Sequence, residues 1–262
     1  MRARSRAALL ASAALAASIA LSACKTTGDD VTGSVGAPQG ATDARRAIDA
    51  LGARYQSNPA DADTAMNYAK ALRANEQRAQ AVAVLQQAAI RNPSNMKLLG
   101  AYGRALADAG EYPEALDALS RAHTPDNPDW RILNAQGAVL DQMGRHDEAQ
   151  RHYSAALKIV HNEPSVLSNL GLSYLLQKNL KRAEFTLRRA AAQGNAGPKV
   201  RQNLALVVGL EGRYAEAEKI ARADLPEAEA SANVAYLREM LAQRDNGKSG
   251  GPSYVPPPDP GS

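Results

Sequence analysis

Cys24 is the only cysteine in this chain of 262 residues. It can form no internal disulfide, so the fold must be held by its packed core even in an oxidising compartment. The four histidines, His123, His146, His152 and His161, show neither H-E-x-x-H nor any other ligand spacing and have no cysteine partner, which argues against a metal centre. A nucleophile elbow requires Gly-x-Ser-x-Gly, and Gly171-Leu172-Ser173-Tyr174-Leu175 lacks the second glycine. Gly247-Lys248-Ser249 resembles the end of a phosphate-binding loop, but Ala242 stands where the earlier glycine belongs and no strand precedes it. The expectation is a protein without catalytic residues, cofactor, metal or small-molecule substrate. The apolar run from Ala7 to Leu21 is also too short to span a bilayer, which takes roughly 20 such residues.

That run follows Arg2, Arg4 and Arg6, and residues 1–23 therefore read as a secretory signal peptide. It ends in Leu21-Ser22-Ala23-Cys24, which resembles the bacterial lipobox. The resemblance implies a lipidated Cys24, the first residue of the mature protein, and several acyl chains at about 0.8 kcal/mol per buried CH2 make a stable anchor. Residues 1–23 hold three of the 31 Lys and Arg and none of the 27 Asp and Glu, so the remainder carries a net charge of +1. Nothing in that balance suggests nucleic acid. Lys25 follows the cysteine, where an aspartate in enteric-type lipoproteins favours the inner membrane; by resemblance, the expected place is the periplasmic face of the outer membrane. Residues 24–42 read as lipidated N-terminus and flexible linker, rich in Gly, Thr, Ser and Asp. Residues 245–262, with Gly250-Gly251-Pro252 and Pro256-Pro257-Pro258, read as a disordered or polyproline-like tail that either docks a partner or serves as a plain terminus.

Between these ends the chain is periodic. Ala81, Ala115, Ala149, Ala183 and Ala217 recur every 34 residues, Ala69, Gly103, Gly137, Gly171 and Ala205 form a second such series, and Ala88, Ala122, Ala156 and Ala190 a third. The first series falls on helices whose next apolar residue follows four later, as in Ala115 with Leu119. The second falls on helices flanked by bulky residues, such as Leu99, Tyr102 and Leu106 around Gly103. Helices approach to roughly 8–10 Å only where side chains at the crossing permit it, so small residues facing small residues predict tightly paired helices. Gly110, Gly144 and Gly212 mark the reversals, and Pro59, Pro93, Pro128, Pro164 and Pro198 follow the second helices.

These residues resemble the tetratricopeptide repeat, whose pattern runs W-x2-L-G-x2-Y, then A-x3-F, then P. The resemblance covers about residues 62–224 as five repeats and implies an all-α solenoid of helix hairpins over 43–244. Asp43 to Asn58 continues the phase backwards as half a repeat, and Glu227 to Arg244 reads as a helix capping the far end. In the fifth repeat Asp224 takes the small slot and Leu225-Pro226 breaks the chain, which puts its packing in question. The four histidines are expected on the surface of second helices and turns, and Glu216 and Glu218 on a solvated helical face.

Such a stack presents a long concave surface lined by first helices, suited to an extended peptide or a partner helix. By phase, Asn67, Lys70, Arg104, Arg131, Asn134, Asn169, Gln202 and Asn203 point away from the packing slots and are candidates for a partner-binding groove. Amides and guanidinium groups can bond backbone carbonyls and carboxylates of many sequences. The arrangement of Lys-x3-Asn and later Lys-x3-Arg that clamps a chaperone's C-terminal carboxylate is absent. Lys70, Arg73, Arg104 and Arg131 predict a basic, polar end, and Leu172, Leu175, Leu176, Leu206 and Leu210 an apolar one. A lipobox with five or six tetratricopeptide repeats resembles the TadD-like lipoproteins of tight-adherence (Flp) pilus systems and is similar to the pilotins of type IV pili. That resemblance implies binding of a secretin or another pilus or secretion component and help with its assembly. The alternative is a general envelope scaffold, such as a peptidoglycan-hydrolase adaptor or an outer-membrane protein assembly subunit.

Overall fold

The computed structural model describes residues 39–249, with side chains over 43–243. Residues 1–23, read above as a signal peptide, Cys24, residues 25–38 of the expected linker and residues 250–262 of the expected tail lie outside the described residues. The described chain is helical throughout: α1 (Gln39–Ser57), α2 (Ala62–Ala74), α3 (Arg78–Arg91), α4 (Met96–Ala109), α5 (Tyr112–Ser120), α6 (Trp130–Gln142), α7 (His146–Ile159), α8 (Pro164–Leu176), α9 (Leu180–Ala191), α10 (Pro198–Leu210), α11 (Tyr214–Ala221) and α12 (Glu227–Ser249). No described helix is long and apolar enough to cross a membrane.

The helices α2 to α11 form five antiparallel hairpins, each packed on the next, as the 34-residue phase requires. All five alanines of the first series are fully buried, and Ala88, Ala122, Ala156 and Ala190 are buried with them. The glycines of the facing series are sites of close approach. A β-carbon on Gly103, Gly137 or Gly171 would sit 2.6, 2.5 or 2.6 Å from Leu119, Tyr153 or Leu187, closer than carbon atoms can come. Each of those three side chains is almost completely buried and fills the volume the glycine leaves. Burying each contributes about 1.5–3 kcal/mol.

The C-terminal end recurs in phase in all five first helices and the N-terminal cap in four of them, α10 starting after Gly197 without a side-chain cap. Asp61, Asn95, Asp129 and Glu163 each accept from backbone N–H groups in the first turn, as Asp129 does from Arg131 at 2.7 Å and Asn95 from Leu98 at 3.1 Å. At the other end the chain leaves the helix through a left-handed residue at Glu76, Gly110, Gly144, Lys178 and Gly212, with φ of 59°, 85°, 74°, 62° and 82°. The following residue then donates back into the helix, as Gln77 does to Leu72 and Asn179 to Tyr174, both at 2.9 Å.

Ahead of the hairpins, α1 lays Ile48 into the cluster formed by Ala65, Leu72 and Leu85, and Tyr55 packs on Tyr68 with ring centroids 5.8 Å apart. At the far end α12 packs on α10 and α11 and inserts Leu237 against Gly209, where a β-carbon would come within 2.6 Å. This helix runs past Arg244 to Ser249. The fifth hairpin is closed differently from the rest, because α11 has only 8 residues. Asp224, in what would be the small slot, is instead ion-paired with Arg201 of α10, which also donates to the Ala196 carbonyl at 2.9 Å. Glu216 is a bridge between hairpins, meeting Arg188 of α9 and Arg213 at 2.5 Å each, and Glu218 binds Arg222 and Ser231. These carboxylates thus tie elements together where a merely solvated face was expected.

Candidate functional site

The first helices α4, α6, α8 and α10 line a concave face, which holds a groove of about 690 Å³. Arg104, Arg131, Asn134 and Asn169 all lie on its walls, together with Arg73, Asp108, Tyr112, Trp130, Gln142 and Lys199. Asn169 and Asn203 border a smaller hollow of about 270 Å³ further along. Asn67, Lys70 and Gln202 are exposed and line neither concavity. Four of the eight expected groove residues are therefore brought together, one stands at the next hollow, and three are surface side chains.

The asparagines are partly engaged with one another. Asn169 donates its Nδ2 to Asn134 Oδ1 at 3.0 Å, and Asn203 donates to Ser168 Oγ at 2.9 Å, so side-chain amides step from one first helix to the next. Each retains some of its donors and acceptors for a ligand, because an amide offers two of each.

The cations differ in how they are held. Arg73 donates through Nε to Asp108 Oδ2 at 2.6 Å. Arg131 lies flat over the ring of Trp130, 4.4 Å from its centroid, which fixes the guanidinium at the groove wall. Arg104 is half-buried, and burial, with the charge of Arg73, holds its guanidinium below the usual arginine value. It remains a cation, since arginine does not lose its proton in proteins. The apolar end is mixed: Leu176 and Leu206 are exposed, whereas Leu175 packs against the core cluster of α9, α10 and α11.

Phase alone did not single out Trp130, Tyr112 or Lys199. Trp130 is the only tryptophan of the chain and opens α6, and that rarity was the available signal. The histidines also need correction. All four lie on a second helix or in a turn as expected, but only His161 is exposed; His123, His146 and His152 are partly buried. His146 Nδ1 lies 2.8 Å from Asp141, whose buried carboxylate also accepts from Tyr153 at 2.9 Å and Ser173 at 2.8 Å. This cluster joins α6, α7 and α8 and so fixes the helix that carries Trp130, Arg131 and Asn134. Among the described residues no group of three or more His, Cys, Asp or Glu could hold a metal ion.

Comparison with known proteins agrees with this architecture. A family model described as Tetratricopeptide repeat matches residues 66–129 and 134–198. The chain is similar to PilW, described as a widely conserved type IV pilus biogenesis factor, at 16% identity and a TM-score of 0.64, over 74% of this chain and 91% of that one. It is similar to a thermophilic tetratricopeptide protein of Thermus thermophilus, TTC0263, at 19% identity and a TM-score of 0.59, over 68% and 98%. Against a chain of the APC/C hetero-tetramer Cut9-Hcn1 the values are 14% and 0.62, over 80% and 41%. No curated protein matches it by sequence. At these identities the likeness shows the fold: a tetratricopeptide-repeat solenoid, which is typically a non-catalytic scaffold for protein interactions.

Proposed function

We propose that this protein is an outer-membrane-anchored lipoprotein whose solenoid captures a component of a pilus or secretion apparatus, a secretin in an Flp-type system being the leading partner, and assists its assembly. The observation that carries the reading is the concave groove of first helices, where Arg104, Arg131, Asn134 and Asn169 converge on one hollow beside an aromatic wall. Its walls are mixed, with apolar Ala135, Ala138 and Val139 between charged and amide groups, as suits an extended polypeptide. The lipobox-like Leu21-Ser22-Ala23-Cys24 supports attachment to the envelope. The likeness to PilW, a type IV pilus biogenesis factor, supports the pilus setting. The physical step is tethering: a lipid holds the groove at the membrane, and capture there raises the partner's effective concentration among its own copies.

Deletion followed by assay of heat-resistant secretin multimers in envelope fractions tests the reading. Loss of multimers and of surface pili is expected, with restoration by the wild-type chain but not by one bearing Cys24→Ala. Normal multimers and normal piliation in the deletion strain would refute it.

A further inference from the structure

Among the described residues Arg104 forms no hydrogen bond or ion pair, although its guanidinium is half-buried. The two carboxylates whose charge reaches it, Asp129 and Asp108, make their hydrogen bonds elsewhere. Asp108 takes the Arg73 guanidinium at 2.6 Å, and Asp129 caps α6 by accepting from the Arg131 N–H at 2.7 Å. The side chain folds back along α4 over Gly100, where a β-carbon would be 3.5 Å from Nη1 and 2.6 Å from Ile132 Cδ1. The bare α-carbon there leaves room for both Arg104 and Ile132, which meet over it.

Arg104 also stands between two concavities. It lines the 690 Å³ groove on one side and a second hollow of about 670 Å³ on the other, and Trp130 and Arg131 are shared by both. Beyond Arg104 on one side Tyr112, Ala135, Ala138 and Val139 line the wall among Asn134, Gln142 and Asn169; on the other Met66, Met96, Ala122 and Ile132 line it among Lys97, His123 and Asn127. Together the two hollows present Arg73, Lys97, Arg104, Arg131 and Lys199 against only Asp108 and Asp129. A cation withdrawn from water without a partner is unfavourable until an anion supplies what the solvent gave. Arginine is suited to this because its planar fork meets a carboxylate through two parallel hydrogen bonds.

We infer that Arg104 anchors an acidic side chain in the middle of an extended partner segment, with apolar residues on either side of that acid occupying the two flanking hollows. This deepens the proposed function, since it rests on the concave face being the one that binds the partner. Apolar side chains within both hollows beside Arg104 favour an internal Glu or Asp over a chain terminus, which would leave one hollow empty.

The single tryptophan provides the readout, because Trp130 borders both hollows and its emission will change when either fills. The full chain is titrated with acetyl-Ser-Leu-Glu-Leu-Ser-amide, with its Gln twin, and with a Gln peptide bearing a free terminal carboxylate. The Glu peptide should bind about tenfold to a hundredfold tighter than the Gln twin, the range expected for a charge-assisted hydrogen bond. Arg104→Gln should bring the Glu peptide down to the affinity of its twin while leaving the twin unchanged, and Arg104→Lys should recover part of the preference. Far-UV circular dichroism and thermal unfolding establish that both variants are folded. Equal affinity of the Glu and Gln peptides for wild type, no binding of either, or a Glu preference that survives Arg104→Gln would overturn the proposal. Tighter binding of the free-carboxylate peptide would overturn it in favour of a terminus. Failure here, with secretin multimers still lost in the deletion strain, removes this site alone; Arg104-dependent Glu binding with normal multimers removes the assembly role alone.

Discussion

Tyr153→Phe should destabilise the protein at neutral pH by an amount that shrinks as the solution becomes alkaline. Tyr153 is 1% exposed and its hydroxyl donates to the buried carboxylate of Asp141 at 2.9 Å. Removing that hydroxyl leaves Asp141 with Ser173 and His146, and losing one hydrogen bond to a buried charge costs about 1.5–3 kcal/mol. The same phenol has its pKa pushed far above the ordinary 10.0, by burial first and then by the charge of Asp141 and the hydrogen bond to it. Above pH 10 the unfolded chain releases this proton while the folded chain keeps it. Stability then falls by up to about 1.4 kcal/mol per pH unit, and phenylalanine has nothing to release. A cost of about 2 kcal/mol at pH 8 should accordingly vanish about a unit and a half above pH 10. Tyr102, whose pKa is also raised by burial, is common to both proteins and cancels in the difference. Urea unfolding followed by circular dichroism at half-unit steps from pH 8 to 11.5 measures it. A difference that stays constant across that range, or the absence of any difference at pH 8, would refute the argument.

Two further predictions concern single positions. Glu76→Gly and Lys178→Gly should each stabilise the fold by about 0.5–1 kcal/mol, read as a rise in thermal midpoint, because both residues hold the left-handed conformation that glycine holds at the equivalent turns. His152 is half-buried, and burial, followed by the charge of neighbouring His123, pulls its pKa below 6.5. The unfolded chain therefore takes up a proton that the folded chain resists, and stability should fall as pH drops from 6.5 to 5. His152→Gln should flatten that slope in denaturant titrations across the same range.

The architecture was legible because close packing demands small residues at fixed places. Gly103, Gly137 and Gly171 each lack the β-carbon that would collide with Leu119, Tyr153 or Leu187, and the 34-residue spacing of these glycines is a direct imprint of the hairpin length. The turns were only partly legible. Gly110, Gly144 and Gly212 announce a left-handed residue, but Glu76 and Lys178 adopt the same conformation without announcing it. There the backbone bonds from Gln77 to Leu72 and from Asn179 to Tyr174 impose the geometry against local preference. The partial burial of three histidines was missed for a related reason. A polar residue at a helix position does not reveal that its neighbour is a carboxylate such as Asp141.

The groove was legible as a face but not as a set of charges. Phase placed both Arg104 and Arg131 among the first-helix residues that point away from the packing slots, and in the fold they are held differently. Arg131 lies over Trp130, and Arg73, on the first helix of the repeat preceding that of Arg104, is joined to Asp108 across helices, a pairing 35 residues apart that periodicity permits but does not specify. Arg104 is half-buried and feels the charges of Asp129 and Asp108 without a hydrogen bond to either. Residue type and spacing place cations on the concave face; burial and pairing together show that Arg104 is half-buried without a hydrogen-bonded partner, whereas Lys97 and Lys199 are exposed. In a solenoid, where each hairpin touches only the next, those pairings differ from repeat to repeat while the core stays the same. One fold can therefore carry different specificities through a handful of side chains, and the half-buried Arg104 between its two hollows is the place at which we propose that this chain carries its own.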